Sequence, residues 1–76
     1  MNPINFTLQT EFIELFKLLK AVGFCESGGA AKQAITNLQV KVNGQIETRK
    51  AFKVRPGQRV EFEGQVVVTV WIRANN

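Results

Sequence analysis

The spacing of hydrophobic residues changes along this chain and divides it into helical and extended parts. Phe12, Leu15, Phe16, Leu19 and Val22 recur every three or four positions, the period of a helix with one buried face. Thr10 is the expected N-cap, with Glu11 and Glu14 at the positive end of the helix dipole and Lys17 and Lys20 towards the other end. Gly23 fits the left-handed position just past the helix. A second, shorter helix opens on Ser27 as N-cap. Its apolar stripe is Ala31, Ala34, Ile35 and Leu38, which leaves Lys32 and Gln33 off the stripe. No glycine follows it, so Asn37 is the residue expected to turn left-handed there.

Alternation with a period of two then takes over. Val40, Val42 and Ile46 are expected to face a core, with Lys41 pointing to solvent. Asn43-Gly44 between them is the strongest short hairpin signal. Arg55-Pro56-Gly57-Gln58 has the residues of a type II turn. Val60 and Phe62 alternate with Arg59, Glu61 and Glu63, and Gly64 turns the chain into a long strand from Val66 to Ile72. Phe6-Thr7-Leu8 reads as a short edge strand. The fold class is α+β: two helices packed against a small, mainly antiparallel sheet. The Phe residues fall mostly on periodic apolar positions and are read as core.

Length and composition narrow the function classes. The chain has 76 residues, 45% of them apolar, enough for one domain with a core and too few for much more. It is expected to be a single domain over residues 1–76. One cysteine and no histidine exclude an intrachain disulfide framework and a His/Cys zinc site, so neither metal nor cofactor is expected. Cys25 has Glu26 beside it and no cation nearby in sequence, so a semi-buried, unactivated thiol is expected. The first residues lack the pattern of a secretory signal, and no run approaches a membrane span, which together with the cysteine usage suits the cytoplasm. Carboxylate pairs such as Glu11/Glu14 and Glu61/Glu63 stand without His, Asp or Tyr, so the chain is not read as an enzyme.

Charge changes the picture most. Seven of the ten basic residues lie between Lys32 and Arg59 with one acid, Glu47, so that segment carries +6 and the remainder −2. Such a concentration on a folded surface captures polyanions. Lys32, Lys41, Arg49, Lys50 and Lys53 are therefore candidate phosphate contacts, and Gln33 and Asn43 candidate contacts to sugar or base edges. Ser27-Gly28-Gly29 has two readings: backbone N–H groups offered to an anion at a helix start, or a well-capped helix with small residues for close packing. Trp71 is read as core or sheet-surface packing rather than a base platform.

Ser27, Ala31-Lys32, Ile35, Val40, Val42-Asn43-Gly44 and Pro56-Gly57-Gln58-Arg59-Val60, in that order, resemble the S4 RNA-binding domain. SGGAAKQAI and VKVNGQIETRK are most similar to its small stand-alone bacterial version, the YbcJ-like proteins. The resemblance covers about residues 11–63. It implies the αL motif of that family, with the second helix and following hairpin as the RNA-binding surface. It also implies a bacterial, non-catalytic partner of structured RNA, ribosomal or transfer RNA, with Ser27, Gly28 and Gly29 in the surface; from its charge and apolar patterns the chain is expected to be a monomer. Two positions depart from the family pattern: Gly28 stands where Arg is usual, and Leu38 where Gly is usual. The rival readings are a protein-interaction module docking an acidic partner, such as a ribosome-associated protein, and a DNA-binding helix pair.

Overall fold

A computed structural model of the chain describes residues 3–71. In chain order the elements are β1 (Ile4–Leu8), β2 (Ile13–Glu14), α1 (Leu15–Ala21), α2 (Gly28–Thr36), β3 (Val40–Val42), β4 (Gln45–Ile46), β5 (Lys53–Val54), β6 (Arg59–Phe62) and β7 (Gln65–Trp71). Five strands form a sheet in the order β1-β7-β6-β3-β4, and β2 pairs with β5 as a separate two-stranded ribbon. All pairs are antiparallel except β1 with β7, where Ile4 faces Val67 and Leu8 faces Trp71. Two helices against a small mixed sheet make the α+β architecture that the hydrophobic periods predict. Ile72, the expected last residue of the long strand, lies outside the described residues.

The core is one cluster. Leu15, Leu18 and Leu19 of α1 and Ala31, Ala34 and Ile35 of α2 meet Val40, Val42, Val60, Phe62 and Val67 of the sheet, joined by Val54. The alanines of α2 let its axis approach α1 closely. Leu18 completes the α1 face between Leu15 and Leu19. Of the aromatic residues, Phe62 belongs to this cluster, while Phe6, Phe16, Phe24 and Phe52 pack half-buried against its edge. The expectation that the Phe residues are core is therefore corrected for Phe12, which is half-buried outside the cluster.

The turns follow their local residues. Asn43 and Gly44 have φ of 53° and 85°, the two positive values a two-residue hairpin turn needs. Gly57 has φ 88° in the Pro56-Gly57 turn. Glu63 (φ 52°) and Gly64 (φ 77°) make the tight connection from β6 to β7. Ser27 caps α2 as expected, its Oγ accepting the Ala30 N–H at 3.0 Å.

Four local expectations are corrected. The first is the N-cap: Thr10 does not cap α1, since its hydroxyl donates to the Phe12 carbonyl at 2.8 Å. The chain stays extended through Glu14 because Ile13 and Glu14 pair with Val54 and Lys53. Carbonyls from that same neighbouring segment then cap the helix. Leu15 N–H donates to Phe52 O at 2.9 Å and Phe16 N–H to Lys50 O at 3.1 Å, satisfying donors that a first turn leaves unpaired.

The second concerns Asn37, which is not left-handed (φ −85°); Leu38 is, at φ 62°. Its N–H donates to Ile35 O and that of Gln39 to Ala34 O, the paired closure that ends a helix with a left-handed residue. Third, Leu38 is 55% exposed and so leaves the stripe it was assigned to. A side chain in this conformation costs about 1–2 kcal/mol. Leu38→Gly should therefore stabilise the fold by about 0.5–1 kcal/mol after the added freedom of the unfolded glycine is subtracted. Chemical denaturation checks this; a lower midpoint for the glycine variant would contradict the assigned strain.

Fourth, Ile46 is 50% exposed rather than core. The two-residue turn places Gln45 opposite Val42 and Ile46 opposite Lys41, so Ile46 shares the outward face of Lys41.

Candidate nucleic-acid interface

Three half-buried rings organise the basic side chains. Phe16 carries Lys32 Nζ at 4.6 Å and Lys17 Nζ at 5.9 Å from its centroid. Phe52 carries the Arg49 guanidinium at 4.9 Å. Phe12 carries Lys53 at 4.9 Å and Arg55 at 5.7 Å. Cation–π attraction of this kind holds a charged head on the apolar rim of a core while leaving it in contact with water. The segments that carry the rings are joined through the backbone: Leu15 and Phe16 donate to the carbonyls of Phe52 and Lys50, and Ile13, next to Phe12, pairs with Val54. Lys17, Lys32, Arg49, Lys53 and Arg55 thus line one band, with exposed Lys50, whose carbonyl accepts from Phe16, within it, and Lys20 sharing a hollow with Phe16, Lys17 and Gly28.

The start of α2 joins this band. Ser27 Oγ is committed to Ala30 N–H, which leaves the Gly28 and Gly29 N–H groups as first-turn donors without a helical partner, Gly28 lying beside Phe16. A Cβ on Gly28 would stand 3.8 Å from Phe16 Cδ2, an ordinary contact, so nothing steric demands glycine where the family pattern has arginine.

Some acids temper the band. Glu14 Oε1 pairs with Lys17 Nζ at 3.1 Å, and Glu47 Oε2 with Arg49 Nε at 2.9 Å. Glu11 precedes Phe12. Against these three carboxylates stand seven cations. The hydrogen bond from Arg49 holds the Glu47 carboxyl below the usual carboxylate range, despite burial acting the other way, and Glu47 raises the Arg49 guanidinium above its own ordinary value.

The rest of the expected site lies elsewhere. Lys41 is opposite Glu61 on β6 and Ile46 on β4. Its neighbours Val40 and Val42 point into the helix-covered core, so alternation turns Lys41 to the other side of the sheet. Arg59, beside buried Val60, stands on that side too. Asn43 is occupied as a structural clip: its Oδ1 accepts Arg59 N–H at 2.9 Å and its own N–H donates to Arg59 O at 2.8 Å. Gln33 lines a hollow with Glu26 and Glu63, where the local charge is negative. In that hollow burial, and then Glu63, pushes the Cys25 thiol above its ordinary range, consistent with an inert side chain. Trp71, 48% exposed at the far end of β7, is on the sheet rather than in the band.

Lys17, Lys20 and Arg55 are the members that sequence reasoning left out. Lys17 and Lys20 belong to a helix that reads as structural, and their proximity to Lys32 is created by packing α1 on α2. Arg55 is legible within the basic segment, yet looks like part of a turn.

The band sits on a fold with known relatives. The S4 domain family model matches residues 6–70. Putative RNA-binding protein YbcJ of Escherichia coli (strain K12) is 52% identical over 58 residues, covering 76% of this chain and 83% of that protein. Probable ribosome maturation protein RlbA of Bacillus subtilis (strain 168) is 38% identical over 63 residues, covering 83% of this chain and 86% of that protein. The solution structure of YbcJ from E. coli, described as revealing an αL motif involved in RNA binding, superposes with a TM-score of 0.71 at 46% identity. It spans 92% of this chain and 90% of that one.

Proposed function

The chain belongs to the S4 domain family, and from that premise we propose that it is a non-catalytic RNA-binding protein that grips structured RNA through the cationic band of α1, α2 and the segment around β5. The observation that carries this reading is the asymmetry of charge: seven cations beside three carboxylates on the ring-supported side, against Lys41 beside Glu61 and Glu63 on the sheet. Affinity comes from Lys20, Lys32, Lys50, Lys53 and Arg55, which have no acidic partner among the described residues. The Gly28 and Gly29 amides add donors suited to a phosphate oxygen. A-form helices are read by shape, phosphates and 2′-hydroxyls, which suits a rigid ridge of cations. Ribosomal RNA is the favoured target over transfer RNA, because one relative is named for ribosome maturation. The protein acts as a single-domain monomer in the cytoplasm.

Titration of protein-free ribosomal RNA at several salt concentrations tests the reading. Each phosphate contact releases counterions, with a log–log slope of roughly −0.7 to −0.9 per contact, so five contacts should give about −3.5 to −4.5. Gly28→Arg should steepen the slope by about one and tighten binding. Binding only to ribosomes that retain their proteins would favour an acidic protein partner instead, and a flat salt dependence would contradict binding through the band at all.

A further inference from the structure

Arg49 differs from the other cations of the band. Its Nε donates to Glu47 Oε2 at 2.9 Å and its Nη2 to Glu47 Oε1 at 3.2 Å, while its backbone N–H donates to Oε2 at 2.9 Å. A two-pronged pair of this kind fixes the plane of the guanidinium. The Glu47 side chain is 14% exposed and that of Arg49 71%, so the carboxylate is the anchor and the guanidinium the outward part. One side of that group meets the Phe52 ring. The restriction of a long, flexible side chain has thus already been met in folding.

Its charge is another matter. Two of the five N–H donors and much of the positive charge are committed to Glu47, which weakens Arg49 as a phosphate ligand. A clamped guanidinium plane nevertheless remains a good stacking surface, since unpaired bases stack on arginine planes as they do on aromatic rings. Beside it lies an open hollow of about 610 Å³ lined by Arg49, Ala51, Phe52, Lys53, Arg55 and Gln58, within the range of small-ligand sites. Gln58 Oε1 accepts Arg55 N–H at 2.6 Å, so the Gln58 amide nitrogen is left to donate.

The geometry points to a single-nucleotide subsite in which an unpaired RNA base stacks on the outer face of Arg49, held flat by Glu47 and Phe52, with its phosphate on Lys53 and Arg55. The Gln58 amide donates to the base edge. The inference rests on the RNA-binding reading above and narrows the target to RNA with an unstacked nucleotide, in a bulge or loop, beside a helical segment. Glu47 is a positioning residue that acts through Arg49.

The test uses the full chain and two protein-free RNA hairpins with the same stem, one fully paired and one carrying a single-nucleotide bulge. The bulged hairpin should bind about tenfold more tightly. Arg49→Lys keeps the charge and loses the plane; it should abolish that preference, read as the ratio of the two hairpins' dissociation constants within the variant. Glu47→Gln should also abolish the preference and steepen the paired-hairpin salt slope by about one, because the released guanidinium becomes a phosphate contact. Equal binding of both hairpins by the native chain, or a preference that survives Arg49→Lys, overturns the subsite. If that equal binding falls steeply with salt, the RNA-binding reading stands; binding to neither hairpin overturns both.

Discussion

Thr69→Val should lower the melting temperature by about 10 °C or more although it changes one buried atom. Thr69 is fully buried in β7, and its hydroxyl holds the Arg55-Pro56-Gly57-Gln58 turn. Oγ1 donates to Arg55 O at 2.6 Å and accepts Gln58 N–H at 3.2 Å. Backbone bonds from Gly57 N–H to Thr69 O and from Thr69 N–H to Gln58 O flank it. Valine keeps the shape and the strand preference but leaves the Arg55 carbonyl and the Gln58 N–H, both in part-buried bonds, without this partner. A polar group left unpaired costs about 1–3 kcal/mol, and 1 kcal/mol shifts the melting temperature of a domain this size by about 4–8 °C. Thr69→Ser restores the hydroxyl and should recover most of the loss. Equal stability of the valine variant would mean that the turn is held by its Pro-Gly residues alone.

That turn illustrates what is legible in the sequence. Pro56-Gly57 and Asn43-Gly44 specify their own backbone, and Ser27 caps a helix through an atom three residues away. Information of this range can be read in order along the chain. The start of α1 cannot, because its donors are taken by Lys50 and Phe52 more than thirty residues later. The β2–β5 ribbon is equally non-local, and its two-residue strands leave no period to detect. Leu38 shows the opposite case: the site demanded a left-handed residue, and the chain placed there a residue poorly suited to it.

The charge pattern was legible as a group and not as a surface. A basic segment from Lys32 to Arg59 is evident, but alternation in β3 sends Lys41 to the side of the sheet away from the helices. Packing of α1 on α2 brings Lys17 to the ring that holds Lys32. Lys17 and Lys20 lie outside the basic segment when the chain is read linearly, and in three dimensions they stand beside Phe16 and Lys32. The Glu47–Arg49 clamp is visible as two opposite charges two residues apart, yet its backing by Phe52 is not.

Charge reversal at matched pairs is the most direct test of an RNA-binding band on one side of this protein. Lys32→Glu with Lys50→Glu and Lys41→Glu with Arg59→Glu change the net charge equally, and all four residues are exposed. At 0.1 M salt one phosphate contact contributes about 1.1 kcal/mol through counterion release, roughly sixfold in affinity. Losing two contacts and adding two repulsive carboxylates should therefore weaken binding on the order of a hundredfold for the Lys32/Lys50 pair. The Lys41/Arg59 pair acts only at long range, and a screening length of about 10 Å should hold its loss to a few-fold. The measurement is the dissociation constant of both variants and the native chain for protein-free ribosomal RNA at one salt concentration, with circular dichroism to verify the fold. A large loss confined to Lys32/Lys50 is the predicted result. Equal losses in the two pairs would contradict the band and leave only unlocalised attraction between a basic protein and a polyanion.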